Sequence, residues 1–143
     1  DFKDKIKIVF LGKFNEKLST NVIHNFSSFN IEFEKKILSE KDFLRMGKDC
    51  DLLISLNREE KHYGQFKGTG SFGDSMYLQK TLIAPAFADP INEFDDFCYY
   101  YNNEYEFKII IEKILSKQIR LNSKFDKFEI STCSKKIIND LNI

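Results

Sequence analysis

A glycine-rich segment near the middle of the chain carries residue types that suggest ligand chemistry. Residues 67–75, with the sequence KGTGSFGDS, include three glycines within six residues. Because glycine has no Cβ, backbone N–H groups in such a segment can approach a ligand closely. A loop that leads into a helix N-terminus forms an anion site, since the unpaired amides and the helix dipole both face the ligand. The segment therefore predicts binding of a phosphate or a polyhydroxylated ligand, with Asp74 and Ser75 available to bind hydroxyls.

A dinucleotide-binding motif overlaps this segment but lacks its usual context. Residues 68–73 satisfy G-x-G-x-x-G, and Asp89 and Glu93 lie near the downstream acidic position. The dinucleotide fingerprint requires its first glycine in a tight turn directly after a strand. Residues 57–67 intervene here, so an NAD-dependent oxidoreductase is a lesser alternative.

A nucleophile motif also overlaps the segment. Residues 69–73 approach G-x-S-x-G, with Thr69 at the position of the first glycine. In the hydrolases that use this motif, a histidine base follows the serine in chain order. No histidine follows His62, and the sequence therefore argues against a serine hydrolase.

Composition limits the classes of partner and cofactor. Lys plus Arg and Asp plus Glu number 22 each, so no global charge attracts nucleic acid. The three cysteines, Cys50, Cys98 and Cys133, are far apart, which fits a reducing compartment. With His24 and His62 as its two histidines and no close cysteine pair, the chain predicts no metal site. The absence of an apolar run of about 20 residues favours a cytoplasmic protein.

Short apolar runs alternate with amphipathic stretches, which is typical of β–α units and a parallel sheet. The predicted strands are 6–11, 30–38, 51–56, 81–87 and 97–101. The predicted helices are 15–29, one capped by Ser39 with Asp42 and ending near Gly47, a short one through residues 74–78, 103–117 and 132–141. Residues 57–73 are predicted as a loop. We expect a three-layer α/β fold in which helices flank a Rossmann-like parallel sheet of about five strands, with residues 1–143 forming one domain.

The order of these features resembles the C-terminal, donor-binding half of GT-B glycosyltransferases. The resemblance runs from residue 12 to about residue 115 and is closest to retaining enzymes that build bacterial polysaccharides. Residues 11–17, LGKFNEK, resemble the turn in which an Arg and a Lys hold the nucleotide diphosphate, and Lys13 and Lys17 match those two residues. Residues 50–56, CDLLISL, resemble the strand before the donor loop.

The donor loop of that family resembles residues 68–85, GTGSFGDSMYLQKTLIAP. In the family pattern the loop amides contact the donor sugar, and a second Glu binds the ribose hydroxyls. Asp74 occupies the position of that Glu, whereas the first Glu of the pattern is missing near Phe66. The resemblance implies a donor-binding set of Gly12, Lys13, Lys17, Thr69, Gly70, Ser71, Phe72, Asp74 and Ser75.

The resemblance implies a glycosyltransferase that transfers a sugar to a glycan or lipid-linked acceptor. The substrate would be a UDP- or GDP-linked sugar, with no cofactor or metal, and catalysis would stabilise the charge of the departing diphosphate. Because the chain begins with Asp1, we expect it to be part of a longer protein. Its acceptor-binding domain or subunit would be absent here, and the full protein would associate peripherally with the inner face of the membrane.

A non-catalytic, flavodoxin-like interaction module is the main alternative. A phosphorelay receiver of this shape should carry paired acidic residues after its first strand, and Gly12 and Lys13 stand there instead. Arg58 and Lys61, after the third predicted strand, are secondary phosphate candidates. The three consecutive tyrosines at 99–101 are interpreted as strand packing rather than as a stacking platform for bases.

Overall fold

A computed structural model describes residues 6–11, 30–33, 37–56, 69–121 and 124–129 of the chain. The chain divides into two compact units, Asp1–Asp49 and Cys50–Ile143. The helices predicted over residues 15–29 and 132–141 lie outside the described residues, and the single domain over residues 1–143 stays a prediction. Among the described residues, no helix is both long enough and apolar enough to cross a membrane.

The first unit contains a two-stranded parallel sheet. Strand β1, Lys7–Phe10, pairs with β2, Asn30–Phe33, in a register that places Lys7 beside Asn30. The Lys7 Nζ lies 2.5 Å from the Oε2 of Glu32 across the two strands. Both side chains are about half exposed, and an exposed pair of this kind contributes at most about 1 kcal/mol.

A capped helix completes the described part of the first unit. Helix α1, Glu40–Lys48, begins after Ser39, whose hydroxyl accepts a hydrogen bond from the Asp42 N–H at 3.2 Å. The same hydroxyl donates to the Asp42 carboxylate at 2.6 Å. The first of these bonds satisfies a first-turn amide that the helix itself leaves unpaired. The predicted Ser39–Asp42 cap is therefore confirmed.

The second unit contains a three-stranded parallel sheet in the order β3–β4–β5. The strands are Leu53–Ile54, Leu82–Pro85 and Cys98–Tyr101. Helix α2, Gly70–Leu78, lies between β3 and β4 in the chain, and helix α3, Glu104–Leu115, follows β5. A helix between two paired parallel strands is the usual crossover in such sheets. The central strand β4 is buried along its whole length.

Five phenylalanines form the aromatic centre of the second unit. Phe97 has no exposed surface, and its ring lies 4.8 Å from that of Phe125, 5.3 Å from that of Phe128 and 5.7 Å from that of Phe94. Phe72 of α2 stacks on Phe94 with ring centroids 4.6 Å apart. Offset and edge-to-face rings at these distances gain energy beyond the area that they bury. The high phenylalanine content of the chain therefore has a structural use in this core.

Residues 124–129 contribute Phe125 and Phe128 to this aromatic core. The Lys127 Nζ lies 2.5 Å from the Oδ2 of Asp96 and 3.9 Å from the Oδ1 of Asp95, both in the connection between β4 and β5. The hydrogen bond to Asp96 raises the pKa of Lys127. These ion pairs lie at the surface, on the segment that places Phe125 and Phe128 next to Phe97.

The predicted α/β class with parallel strands is confirmed, but the sheet differs from the expectation. The five strands form two sheets of two and three strands in the described residues, not one sheet of about five. An apolar run predicts that a strand exists but not which edge it pairs with. Each strand is also shorter than its apolar run. For example, β3 contains two residues, whereas the predicted strand covers residues 51–56.

The start of α2 corrects the predicted loop over residues 57–73. Residues 70–73 form the first turn of the helix, although glycine is a poor helix former. The turn is stable because Thr69 caps it and Phe72, 6% exposed, is anchored in the core. Capping and burial therefore override the local propensity.

The core assignment predicts that Phe97→Ala lowers the free energy of unfolding by about 3–5 kcal/mol. The reason is that three aromatic neighbours and β4 would lose contacts with a fully buried ring. Chemical denaturation measures the change. The control Ile91→Ala, at a residue 78% exposed, should change the stability by less than about 0.5 kcal/mol. Equal effects of the two substitutions would contradict the assignment.

Candidate functional site

The carboxyl ends of β3, β4 and β5 meet at one edge of the sheet, because the three strands are parallel. Ligands of α/β proteins bind at this edge. Ser55, the residue after β3, is 3% exposed and lies at the edge. Hydrogen bonds of Ser55 connect this end of β3 with β4, β5 and α2.

Ser55 uses both its backbone and its side chain in these connections. Its N–H donates to the Ile83 carbonyl of β4 at 2.9 Å. Its carbonyl accepts a hydrogen bond from the Tyr101 hydroxyl of β5 at 3.0 Å. Its hydroxyl accepts one from the Ser71 Oγ of α2 at 3.2 Å. The hydrogen bonds of Ser55 thus tie the start of α2 to the carboxyl edge of all three strands.

The N-terminus of α2 presents backbone donors at this edge. The Thr69 hydroxyl accepts a hydrogen bond from the Ser71 N–H at 3.2 Å. Helix geometry leaves the amides of Gly70 and Phe72 without an acceptor inside the helix. A Cβ built on Gly70 meets no atom of the described residues within 4 Å. Among those residues, no side chain occupies the space beside this turn.

The first turn of α2 contains no acidic residue, in contrast to the other two described helices. Helix α1 carries Glu40 and Asp42 in its first turn, and α3 carries Glu104 and Glu106. A carboxylate in the first turn offsets the partial positive charge of a helix N-terminus. Among the described helices, α2 alone lacks that compensation within its own first turn.

Helix α3 also begins at the carboxyl edge, because it follows β5 directly, and the Asn103 side chain caps one of its first-turn donors. The Glu106 N–H donates to the Asn103 Oδ1 at 3.0 Å, and the Glu106 carboxylate accepts from the Asn102 N–H at 2.8 Å. The hydrogen bond from the Asn102 amide lowers the pKa of Glu106. This reciprocal arrangement is a form of capping box.

Part of the predicted donor set is brought together by the structure. Thr69, Gly70 and Ser71 form the start of α2 at the sheet edge, and Asp74 lies one turn further along the helix. The exposed face of this part of the helix includes Gly70, Gly73 and Asp74, because residues three and four positions apart share one face. Partial desolvation raises the pKa of the Asp74 carboxyl. Gly12, Lys13 and Lys17 lie outside the described residues.

The side chains of two predicted site residues serve the fold instead. The ring of Phe72 lies in the aromatic core against Phe94. Ser75 has no exposed surface, and its hydroxyl donates to the Lys80 carbonyl. Neither side chain faces the open space at the start of α2, and neither is included in the site proposed below.

The dinucleotide fingerprint is not supported by the geometry. Its third glycine should allow close packing of helix on strand, but Gly73 is exposed and a Cβ there meets no atom within 4 Å. Asp89, near the acidic position of the motif, is 4% exposed and accepts hydrogen bonds from the Phe94 N–H at 3.1 Å and from the Tyr100 hydroxyl. The Asp89 carboxylate is therefore buried and hydrogen-bonded within the core, and it does not take the ribose-binding role of the motif.

Each tyrosine at 99–101 donates its hydroxyl to a different part of the second unit. Tyr99 donates to the Arg120 carbonyl at 2.7 Å, Tyr100 to the Asp89 carboxylate and Tyr101 to the Ser55 carbonyl. Burial, and then the hydrogen bond to Asp89, raise the pKa of Tyr100. Burial also raises the pKa of Tyr101 and that of the neighbouring Cys98, the latter to about 12.

The roles of Ser55 and Tyr101 were not predicted from the sequence. A signal for Ser55 was present, because it is a hydroxyl residue at the end of the apolar run DLLISL. Tyr101 offered no comparable signal, since its partner lies 46 residues earlier in the chain. Its interpretation as strand packing accounts for its ring, which contacts Phe107 edge-on at 5.2 Å, but not for its hydroxyl.

The open space beside α2 predicts that Gly73→Ala raises the free energy of unfolding by about 0.5–1 kcal/mol. Alanine loses less backbone entropy in a helix, and no neighbouring atom opposes its Cβ. Gly70→Ala, at the first helical residue, should give a smaller gain. Urea denaturation compares the two variants with the parent chain. Destabilisation by Gly73→Ala would show that the space beside it is filled.

The Glu106 arrangement predicts a pH-dependent contribution to stability. Because the pKa of Glu106 is lowered in the folded chain, its stabilising effect is fully present above its unfolded pKa of about 4.3 and is lost as the pH falls through the lower folded value. The stability difference between the parent chain and Glu106→Gln should therefore shrink below about pH 4.3. The control Glu112→Gln removes an equal charge from the same helix and should not reproduce this pH dependence.

Comparison with protein-family models, with curated proteins and with solved structures finds no match for this chain. The function is therefore argued from the arrangement of residues at the carboxyl edge of β3, β4 and β5. Among the residues that the structure describes, no group of three His, Cys, Asp or Glu side chains could hold a metal ion.

Proposed function

We propose that the chain binds the diphosphate of a nucleotide sugar at the start of α2, as the donor-binding half of a glycosyltransferase. The observation that carries the proposal is the placement of Thr69, Gly70 and Ser71 at the carboxyl edge of a parallel sheet, in a helix whose first turn lacks a carboxylate. Unpaired amides and an uncompensated helix dipole at such an edge favour phosphate.

The chemistry of the residues suggests how the parts of the ligand would be divided. A phosphate would accept hydrogen bonds from the Gly70 and Phe72 amides, in the open space beside Gly70. Asp74, exposed one turn along the helix, would accept hydrogen bonds from sugar or ribose hydroxyls. The stabilisation of charge on a departing diphosphate by fixed amides is the electrostatic contribution expected of such a transferase. The parts of Gly12, Lys13 and Lys17 in binding the diphosphate stay predictions.

The wider interpretation belongs to the same proposal. The parallel order β3–β4–β5, with α2 between β3 and β4 in the chain, supports a Rossmann-like architecture for the second unit. Transfer of the sugar would require an acceptor-binding domain or subunit in addition to this chain. The isolated chain should then bind the donor but transfer little sugar.

A thermal-shift panel of UDP, GDP, ADP, CMP and NAD tests the proposal. A ligand at about 100 times its dissociation constant stabilises its site by roughly 2.7 kcal/mol, which raises the melting temperature by several degrees. We expect UDP or GDP to produce this shift. Gly70→Ala should abolish it, because the added Cβ occupies the space next to the phosphate, whereas Gly73→Ala should preserve it.

The other outcomes of the panel identify the alternatives. Stabilisation by NAD alone would favour the oxidoreductase interpretation and contradict the proposal. No shift with any nucleotide would favour the flavodoxin-like interaction module. A UDP or GDP shift that survives Gly70→Ala would place the nucleotide away from the start of α2. The Gly70→Ala variant is expected to fold, because Gly70 is exposed and no atom of the described residues lies within 4 Å of a Cβ built on it. A lost shift in this variant would therefore report lost binding.

A further inference from the structure

We propose that Tyr101 is a positioning residue that holds the start of α2 in place through Ser55. The inference rests on the proposed function for its effect on ligand affinity, because the start of α2 is the proposed phosphate site. The mechanical link itself does not depend on the identity of the ligand. Tyr101 lies on β5, at the far edge of the sheet from β3, so it would act across the central strand.

Two hydrogen bonds make up the link. The Tyr101 hydroxyl donates to the Ser55 carbonyl at 3.0 Å, and the Ser71 hydroxyl donates to the Ser55 Oγ at 3.2 Å. Ser55 is 3% exposed, and hydrogen bonds are stronger where water is excluded. The Ser71–Ser55 bond joins the first turn of α2 to the sheet.

Tyr101 is itself held at both ends, as a positioning residue should be. Its backbone pairs with Pro85 in the ladder between β4 and β5. Its ring meets Phe107 of α3 edge-on, with centroids 5.2 Å apart and an interplanar angle of 71°. Burial raises the pKa of its hydroxyl. A rigid donor of this kind limits the movement of the Ser55 carbonyl.

The position of the Ser55 backbone determines the position of its hydroxyl, and therefore that of Ser71. A phosphate bound by first-turn amides requires those amides at fixed positions, since a site supported loosely by its surroundings loses affinity. Loss of the Tyr101 hydroxyl should therefore loosen the start of α2 before it affects the rest of the helix.

Amide hydrogen exchange on the free chain tests this link without any ligand. In Tyr101→Phe we expect the hydrogen-bonded amides among residues 70–73, those of Ser71 and Gly73, to exchange about five-fold faster, the effect of one neutral hydrogen bond. Tyr99→Phe is the matched control, because Tyr99 lies on the same strand and also donates to a backbone carbonyl, that of Arg120 at 2.7 Å. It should leave the exchange of residues 70–73 unchanged.

A double-mutant cycle with Ser55→Ala tests the route. This variant keeps the carbonyl that accepts from Tyr101 but removes the hydroxyl that accepts from Ser71. In the Ser55→Ala background, Tyr101→Phe should produce no further acceleration at residues 70–73. Independent, additive effects would overturn the route through Ser55. A uniform acceleration of all amides in Tyr101→Phe, or none at residues 70–73, would overturn the positioning role itself.

Titration with UDP then separates this inference from the proposed function. If the parent chain binds UDP, Tyr101→Phe should raise the dissociation constant about five-fold while Tyr99→Phe leaves it unchanged. Equal UDP affinities of the parent chain and Tyr101→Phe would overturn the effect on the site. If neither UDP nor GDP binds the parent chain, the proposed function fails, and the exchange experiment still decides whether Tyr101 positions α2.

Discussion

The second unit depends on the complete burial of β4. Leu82, Ile83 and Ala84 have no exposed surface, so both edges of the strand must be paired and both faces covered. Strands β3 and β5 pair with its edges in parallel. Because all three strands run in one direction, their carboxyl ends share an edge, and the start of α2 lies there. The position of the candidate site is thus a consequence of how the central strand is covered.

Burial on this scale also restricts the polar groups near the core. Among the described residues, every buried side-chain nitrogen or oxygen has a hydrogen-bond partner. An unpaired buried carboxylate would be costly, and Asp89 avoids this cost by accepting hydrogen bonds from Tyr100 and from the Phe94 amide. The buried polar groups of β5 and its surroundings are therefore hydrogen-bonded within the fold.

Local patterns predicted the elements that depend on local interactions. The apolar stripe over residues 103–117 predicted α3, which is found at Glu104–Leu115. The Ser39 cap was predicted because Asp42 follows Ser39 by three residues. The start of α2 was missed because its glycines are poor helix formers, and its stability comes from the burial of Phe72 in the aromatic core. Burial of a single ring in a distant cluster leaves no periodic signal in the sequence.

The contacts that complete the site and the core join residues far apart in the chain. Tyr101 meets Ser55 across 46 residues, and Phe125 packs on Phe97 from beyond α3. One sequence contains strand-forming patterns but no record of which strands pair, so the division into two sheets could not be predicted. Thr69, Gly70 and Ser71 were predicted as ligand contacts from the glycine-rich segment and the family resemblance, whereas their place at a helix start was not predicted.

The insertion of Phe125 and Phe128 against Phe97 has a consequence for synthesis of the chain. All three strands of the second unit and α3 leave the ribosome before this segment does. Until residue 128 has emerged, Phe97 lacks two of its aromatic neighbours, and the nascent unit exposes apolar surface to water. Domains generally fold as units during translation. The last step in forming this core is therefore set by the arrival of a short segment that lies outside the sheet and its helices.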